Sequence, residues 1–494
     1  MTILKKLFSH QATRSFFKSA LCKEQPKKLR VDNNVQSTFH FYHSNKILED
    51  YVSQSVNPTT LRQFIFFGRH MNTDRLLKSA NWVRNELLIR LAHRIRDFQQ
   101  LPFFIGTNPH IEHVYSLYWS AFENIRACPD IKTQEDNKEF CRLLKDLLED
   151  GLLVLPRLAQ GLSESATYYR SSAQKDLDLF LNRMLRSRIS RRVLAEQHLA
   201  LTEGCENEWD TSTGSDGYVG IIFMHCSASE IVERSKQLVY QHVHRYHSKE
   251  QDKSKVPSID VQIHQQHHHL DSRYHNGRNE ILFAYVPEQL EHILYELLDN
   301  AVRYTILNHG NKDKYPAIQV TVSGNDSDVF FRISDQGGGM CQQRYDCLWS
   351  YQSRAQMGDF NDFKQIQKVP ASIDERASQA THHHLGIGLT MSRIYAEYWG
   401  GELQVMTMDG YGTDVYVRIP RLGTHIENLG IGQHNPVFYT NSSSSTSTSI
   451  LKKKRIVNHN PKETLKSNAA TNEQSAHGIL KFSNGWSQSY MIRS

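Results

Sequence analysis

The sequence predicts an α+β protein in which an N-terminal four-helix bundle precedes a domain that contains both strands and helices. Apolar residues recur at helical spacing from about residue 73 to residue 201. After Gly204 the pattern changes to short β-type runs that alternate with helices. A chain of 494 residues is long enough for two or three domains. We therefore predict the bundle at residues 60–202 and the α+β domain at residues 215–422.

Four helices are predicted in the first domain. Their apolar stripes lie at residues 76–98, 111–125, 140–148 and 176–198. The first helix should end before Pro102, because proline disfavours helix at the residue that precedes it. The second should begin with Asn108 as its N-cap and Pro109 at its first helical position. Short connections between the helices favour antiparallel neighbours in a bundle.

Six strands are predicted in the second domain. They are Val219–Met224, Ile259–Ile263, Ile318–Val322, Val329–Ile333, Leu403–Met408 and Val415–Ile419. Polar stretches separate them, and the longest, Tyr351–His384, is predicted as a loop. From residue 423 to residue 494 the chain is rich in serine, asparagine and lysine, with too little apolar content to fold alone. This last segment is predicted to be a disordered tail.

Charge and cysteine usage exclude several function classes. The formal net charge of +6 is small for this length, and its clusters lie near the termini, so we expect no nucleic-acid partner. The seven cysteines form no CxxC pair, which favours free thiols in a reducing compartment. No stretch approaches the roughly 18 apolar residues of a membrane span, so no transmembrane segment is expected.

The N-terminal region has the composition of a mitochondrial transit peptide. Residues 1–23 contain five lysine or arginine residues and no acid, interleaved with apolar side chains. A secretory signal would need a continuous apolar run, which the basic residues interrupt. We predict a transit region at residues 1–40 and a location in the mitochondrial matrix. A basic terminus without a targeting role is the alternative.

The first of three candidate motifs is Glu296-Leu-Leu-Asp-Asn300. Glu296 and Asn300 are four residues apart in a helical pattern, so their side chains should lie on one helix face, about 6 Å apart. The amide oxygen of Asn300 suits Mg²⁺ bound to nucleotide phosphates, and the Glu296 carboxylate can accept a proton from an attacking hydroxyl. A solvated pair on a surface helix is the alternative, since this spacing alone is a weak motif.

The second motif begins at Asp335, which ends a predicted strand and is followed by Gln336 and then by Gly337, Gly338 and Gly339. A carboxylate here can accept a hydrogen bond from an adenine amino group. The glycines let the backbone turn sharply and approach a flat ring closely. An ordinary hairpin turn is the alternative.

The third motif comprises Gly386 and Gly388 before the apolar helical run Leu389–Trp399, followed later by Gly410-Tyr-Gly-Thr413. Backbone N–H groups at the start of a helix can bind phosphates. A flexible loop that leads into a helix is the alternative.

Taken together, the order and spacing of these motifs resemble the N, G1 and G2 boxes of the Bergerat-type (GHKL) ATPases. This superfamily includes gyrase, heat-shock protein 90, histidine kinases and MutL. The chain has no GxxxxGK[ST] sequence and no HRD or DFG sequence, which excludes P-loop proteins and the common protein-kinase fold. The resemblance implies a histidine-kinase-like α/β sandwich that binds ATP in the second domain.

Within that superfamily, residues 60–422 resemble the mitochondrial 2-oxoacid dehydrogenase kinases. The similarity is carried by Leu76–Ala92, Leu101–Asn108, Ser187–Leu201, Ser392–Gly401 and Gly412–Tyr416. Short segments such as Leu-Pro-Phe103 and Ala-Glu-Tyr398 indicate the branched-chain branch. The resemblance implies a protein serine kinase that phosphorylates and inactivates the decarboxylase component of the branched-chain complex, with the pyruvate complex as the alternative. It also implies docking on the lipoyl domains of the acyltransferase core, and a homodimer.

The resemblance assigns roles to single residues. It implies Glu296 as general base, Asn300 as Mg²⁺ ligand and Asp335 at the adenine, with Thr413 beside that aspartate. The other nucleotide-binding positions that it implies are Gly337, Gly339, His383, Gly386, Gly388 and Leu389. It further implies a K⁺ site on backbone carbonyls near Leu348, Ser350, Ser353 and Gly386.

Five positions depart from the family pattern. His384 replaces a glycine of the third motif, Arg354 and Ala355 replace a threonine pair, Gln336 replaces an arginine, and Gly151 replaces a histidine. The changes around the phosphate site motivate a second hypothesis. In that hypothesis the chain is a binding or scaffold module that holds nucleotide but transfers phosphate poorly.

Overall fold

The computed structural model describes residues 45–69, 71–165, 174–206, 217–247, 256–265, 280–310, 314–356, 372, 374–375 and 386–430. Within these ranges a helical N-terminal region is followed by a region with a mixed sheet, so the predicted α+β class is confirmed. The predicted transit region, the predicted tail beyond residue 430, and His383 and His384 lie outside the described residues.

The described helices and strands follow one another along the chain. The helices are α1 (Asn45–Val52), α2 (Leu61–Gly68), α3 (Thr73–Gln99), α4 (Phe103–Gly106), α5 (Pro109–Ala127), α6 (Gln134–Asp150), α7 (Val154–Ser165), α8 (Gln174–Glu206), α9 (Ala228–His247), α10 (Pro287–His309), α11 (Gln342–Asp346), α12 (Tyr351–Gln356) and α13 (Gly388–Tyr398). The strands are β1 (Tyr218–Val219), β2 (Ile222–Ser227), β3 (Ile259–Gln265), β4 (Leu282–Tyr285), β5 (Ile318–Gly324), β6 (Asp328–Asp335), β7 (Glu402–Met408) and β8 (Gly412–Pro420).

The long helices of the N-terminal region begin at residues that cap them. The Asn72 side chain accepts a hydrogen bond from the backbone N–H of Arg75 at 2.9 Å at the start of α3. Asn108 accepts from the backbone N–H of His110 at 2.9 Å, with Pro109 at the first helical position of α5. The predicted start of α5 is therefore confirmed.

All four predicted helices of this region are present as α3, α5, α6 and α8, and the structure adds α1, α2, α4 and, as the longest of the added helices, α7. This helix buries Leu155, Leu158 and Leu162. Its Pro156 and Gly161 disfavour helix in an isolated sequence, but proline is tolerated in the first turn. Gly161 also allows close packing, since a Cβ there would come within 2.7 Å of Ile111 on α5.

The sheet region contains two sheets. A small antiparallel sheet has the order β1-β2-β4, and a larger mixed sheet has the order β3-β5-β6-β8-β7. Only β3 and β5 pair in parallel in the larger sheet, as far as the described residues show. Helices α10 and α13 pack on this sheet, α9 packs on α10, and their apolar side chains belong to one continuous core. This is an α/β sandwich.

Two strand predictions differ from the structure. The single strand predicted over Val219–Met224 is a hairpin of β1 and β2, because the chain turns at Gly220 with a φ of 62°. The strand β4 was not predicted, since it is only four residues long. The predicted loop that starts at Tyr351 begins instead with the short helix α12.

A segment after β8, residues 423–430, connects the two regions, so the prediction that a disordered tail begins at residue 423 is wrong for these residues. The carbonyl of Gly423 accepts a hydrogen bond from the backbone N–H of Arg62, and the backbone N–H of Glu427 donates to the carbonyl of Thr59. Glu427 also receives the Arg90 guanidinium, with a shortest distance of 2.6 Å. The segment therefore ties the sheet region to α2 and α3.

Arg90 is the centre of this contact. Its guanidinium also lies 3.0 Å from the Glu86 carboxylate, and the Tyr398 hydroxyl donates to Glu427 at 2.5 Å. Burial disfavours the charge of Arg90, but attraction and hydrogen bonding to Glu427 outweigh it and raise the guanidinium pKa. All four side chains are buried, so the network is internally satisfied.

Among the helices with described structure, none combines the length and apolar character needed to cross a lipid bilayer.

Candidate functional site

A cavity of about 390 Å³ opens between α10, the end of β6 and the start of α13. Nine of the ten predicted site residues line it: Glu296, Asn300, Asp335, Gly337, Gly339, Gly386, Gly388, Leu389 and Thr413. The tenth, His383, lies outside the described residues. The volume is in the range of ligand pockets, which are about 300–1,000 Å³. Three motifs that are far apart in the sequence therefore face one space.

Helix α10 places Glu296 and Asn300 on the cavity wall. Glu296 is only 4% exposed, and Asn300 is partly buried. An adjacent side of α10 packs on α9, where the Tyr295 hydroxyl lies 2.7 Å from Nδ1 of His242. The Asp299 carboxylate lies 3.5 Å from the same nitrogen. These buried contacts fix the rotation of α10 and so the direction in which Glu296 and Asn300 point.

Gly388 packs directly against Glu296. A Cβ at Gly388 would overlap the Glu296 carboxylate, so any larger residue would displace either the carboxylate or the start of α13. On the other side, Nε2 of His292 lies 4.0 Å from Oε1 of Glu296. The His292 ring packs on Tyr395 with centroids 4.9 Å apart. His292 is thus part of the packing around Glu296.

Asp335 ends β6 and pairs with Thr413 of β8. Its Oδ1 atom accepts hydrogen bonds from the backbone N–H groups of Gly337, at 2.7 Å, and Thr413, at 3.3 Å. Burial raises the pKa of the Asp335 carboxyl, while these two donors act in the opposite direction. Because both donors use Oδ1, the Oδ2 atom is the one that can receive a ligand N–H.

The glycines after Asp335 are held against the β7–β8 turn. The carbonyl of Gly338 accepts a hydrogen bond from the backbone N–H of Gly410 at 2.8 Å. The backbone N–H of Gly338 donates to the carbonyl of Tyr411 at 3.1 Å. Gly339 has a φ of 67°, and a Cβ there would overlap the Met408 carbonyl. Glycine is therefore required at position 339 on two grounds.

The helix α13 begins at the phosphate end of the predicted site. Gly386 turns the chain with a φ of 65°, and α13 starts at Gly388 without a side-chain hydrogen bond at its N-cap, Ile387. The first N–H groups of a helix have no partner inside it and carry partial positive charge. This end of the cavity can therefore bind an anion.

Three arginines in the cavity wall were not predicted as site residues. Arg303, Arg344 and Arg354 line it, from α10, α11 and α12 respectively. Arg303 lies three residues after Asn300 on the same helix, and this spacing could have indicated it. Arg344 and Arg354 reach the cavity only through tertiary structure. The sequence marked Arg354 as a departure from a family pattern and nothing more.

Comparisons with known sequences relate both regions of the chain to described families. A family model described as mitochondrial branched-chain alpha-ketoacid dehydrogenase kinase matches residues 58–223. A second model, described as histidine kinase-, DNA gyrase B- and HSP90-like ATPase, matches residues 285–423. The chain is similar to the pyruvate dehydrogenase kinase and branched-chain kinase family. The predicted GHKL-type fold of the second domain is confirmed by the second match.

Curated relatives of this family cover most of the chain. A mitochondrial pyruvate dehydrogenase (acetyl-transferring) kinase 2 of Saccharomyces cerevisiae is 29% identical over 79% of this chain and 87% of its own length. The mitochondrial pyruvate dehydrogenase kinase of Arabidopsis thaliana is 28% identical, over 75% of this chain and 92% of its own length. The mitochondrial pyruvate dehydrogenase (acetyl-transferring) kinase isozyme 1 of Rattus norvegicus is 28% identical, over 77% of this chain and 81% of its own length. These mitochondrial relatives support the predicted mitochondrial location.

Proposed function

We propose that the chain is a protein serine kinase of the mitochondrial matrix. It uses Mg-ATP to phosphorylate and inactivate the decarboxylase component of a 2-oxoacid dehydrogenase complex. The observation that carries this proposal is the convergence of Glu296, Asn300, Asp335 and Gly388 on one cavity. Phosphoryl transfer from ATP requires these four parts. They are a carboxylate, a neutral oxygen ligand, an acceptor for the adenine and a helix start that binds phosphate.

Asp335 and its neighbours bind the adenine in this proposal. The Oδ2 atom of Asp335 accepts the exocyclic amino group, because Oδ1 already accepts two backbone donors. Thr413 holds that carboxyl in place through its N–H. Gly337 and Gly339 let the backbone approach the ring, since no Cβ intervenes.

The phosphates lie between the start of α13 and Asn300. Gly386, Gly388 and Leu389 present backbone N–H groups at a helix start, which binds phosphate groups well. The Asn300 amide offers one neutral oxygen, and this suits Mg²⁺, which keeps several waters and takes few protein ligands. When bound, the ion neutralises phosphate charge. The donor set around the cavity therefore fits a magnesium nucleotide.

Glu296 is the proposed general base. Its carboxylate is nearly buried and lies at the boundary between the helix α10 and the start of α13. There it can orient an incoming serine hydroxyl and accept its proton as the terminal phosphate is transferred. Because Gly388 packs closely against this carboxylate, the base of this proposal lies next to the turn proposed to bind the phosphates.

Two substrates are proposed, the branched-chain complex and the pyruvate complex. The family model matched by residues 58–223 is named for the branched-chain kinase, whereas the relatives described above are named for pyruvate dehydrogenase. Docking on lipoyl domains of the acyltransferase core and assembly as a homodimer are further parts of the proposal, and they rest on the resemblance to the family.

The test is to incubate the purified full-length chain with radiolabelled ATP and each complex separately. We expect phosphate on a serine of one decarboxylase component and loss of that complex's activity. Labelling of the pyruvate complex alone would reject the branched-chain assignment. Binding of Mg-ATP without transfer to either complex would reject the kinase proposal and support the scaffold hypothesis.

A further inference from the structure

Arg354 connects the two sides of the phosphate end of the cavity. Its guanidinium donates to the carbonyl of Gly386 and, at 3.2 Å, to the hydroxyl of Thr390 in the first turn of α13. Its own backbone N–H donates to the carbonyl of Ser350 at 3.3 Å. One residue of α12 thus contacts both the turn before α13 and the chain before α12.

These contacts bear on the K⁺ site implied by the family resemblance. The implied ligands are carbonyls near Leu348, Ser350, Ser353 and Gly386, and two of these carbonyls accept hydrogen bonds from Arg354. A K⁺ ion on the Gly386 carbonyl would share that oxygen with a guanidinium. Two like charges about 4 Å apart repel by roughly 4 kcal/mol near a protein surface. The residues present therefore do not fit K⁺ beside Arg354.

We propose that the Arg354 guanidinium replaces a monovalent metal ion at this position. As a permanently charged group with fixed donors, it holds the Gly386 turn and the first turn of α13 without a diffusible cation. That turn determines where Gly388 meets Glu296 and where the phosphate-binding N–H groups point. Arg354 is accordingly a positioning residue, and nucleotide binding does not depend on K⁺. This inference rests on the proposed ATP site.

The test compares Mg-ATP binding to the full chain by calorimetry in KCl and in N-methylglucamine chloride at equal ionic strength. Wild type should bind with dissociation constants that agree within about twofold, as the charge at Gly386 is built in. Arg354→Ala should bind about 10- to 100-fold more weakly without K⁺, the effect of losing a charge-assisted hydrogen bond. Added KCl or guanidinium chloride should restore most of the lost affinity.

Three further variants make the test specific. Arg354→Met keeps most of the aliphatic volume without the charge, and it should acquire the same K⁺ dependence as Arg354→Ala. Arg354→Lys keeps a positive charge and should bind equally well in both salts. Arg344→Ala removes another positive charge from the same cavity, and it should remain insensitive to the choice of salt. Thermal unfolding of each variant shows that the compared proteins are folded.

Several outcomes would overturn the inference. Wild type that binds Mg-ATP only with K⁺ would reject it and leave the proposed function intact. Wild type that binds Mg-ATP in neither salt would reject both. A folded Arg354→Ala protein with unchanged affinity, or with lost affinity that no cation restores, would show that Arg354 does not act as the local cation.

Discussion

The molecule holds charged and polar side chains wholly or partly away from solvent in two regions with different surroundings. Where the helical region meets the sheet region, Arg90 and Glu427 satisfy one another within a closed network. In the cavity, Glu296, Asn300 and Asp335 face a space large enough for a ligand. The same kinds of side chain therefore serve structure in one region and binding in the other. The difference is whether their partners belong to the protein.

This comparison makes opposite predictions for the two regions. Removing one member of the closed network leaves buried charge without its partner, so folding stability should fall. Removing a cavity residue leaves space that water can enter, so folding should be retained while ligand binding or transfer is lost. The variants that follow test this division in order of expected effect.

The largest effect is expected for Glu296→Gln. The change keeps size and removes the group that accepts the serine proton, so transfer should fall by about 10² to 10⁴. Affinity for ATP and the midpoint of unfolding should be close to wild type. Phosphate incorporation into the decarboxylase component is measured at saturating ATP, alongside nucleotide affinity by calorimetry.

A control on the same helix is Glu288→Gln. Glu288 lies in the first turn of α10, is half exposed and pairs with Arg192 at 3.1 Å, away from the cavity wall. This variant should transfer phosphate at the wild-type rate. If Glu296→Gln is as active as wild type, the chain keeps its kinase assignment but Glu296 is not its base.

The next effect concerns stability. Arg90→Ala leaves the buried Glu86 and Glu427 carboxylates without their shared cation, and it should destabilise the fold by about 3–5 kcal/mol. The control is Arg84→Ala on the same helix, whose partner Asp130 is largely exposed, with an expected loss below about 1 kcal/mol. Urea unfolding of both variants measures the difference. Equal losses would show that the closed network is not special.

Local patterns predicted most of the fold. The N-cap Asn108 and the strand that ends at Asp335 depend on nearby residues, and both were placed correctly. The helix α7 was missed because its proline and glycine have low helix propensity, which packing on α5 overrides. The Gly220 turn was missed because the apolar residues on both sides of it form a pattern that is typical of one continuous strand.

The site shows the same division between local and distant determinants. Glu296 and Asn300 share a helix face by spacing alone, so sequence could pair them. The reach of Arg354 to Gly386 depends on where α12 lies against α7 and α8, and no spacing rule gives it. The buried pairing of Arg90 with Glu427 joins residues 337 positions apart and was likewise beyond local pattern.

A smaller effect is expected for Asn300→Ala. Loss of the proposed Mg²⁺ ligand should abolish the thermal stabilisation by Mg-ATP, which is about 2.7 kcal/mol for a ligand at 100 times its dissociation constant. Unfolding without nucleotide should stay near the wild-type midpoint. Asn308→Ala should keep the stabilisation, because Asn308 lies eight residues further along α10, where its side-chain amide donates to the Gln336 carbonyl at 3.4 Å. Full stabilisation of Asn300→Ala by Mg-ATP would reject the ligand assignment.

The smallest effect is a pH dependence set by Asp335. Burial raises the pKa of its carboxyl in the free protein, and only the carboxylate can accept the adenine amino group on Oδ2. If Oδ2 carried a proton, its O–H would face the adenine N–H, and two donors cannot form a hydrogen bond with each other. ATP affinity should therefore be constant above the raised pKa and fall as pH decreases through it. Binding in that range should release a proton, because the amino group favours the carboxylate.

Asp335→Asn isolates the contribution of the Asp335 carboxyl to the pH dependence of ATP affinity. Its neutral amide cannot titrate, so its affinity for ATP should be about tenfold lower, with no acidic decline of its own. Calorimetry of both proteins from neutral to acidic pH gives the ATP affinity of each. Titration of the ATP phosphates affects both proteins equally, so it cancels in the difference between their binding free energies. The variant should also discriminate less between ATP and GTP. Parallel pH profiles with unchanged discrimination would mean that Asp335, like Glu427, is a structural carboxylate whose partners all belong to the protein.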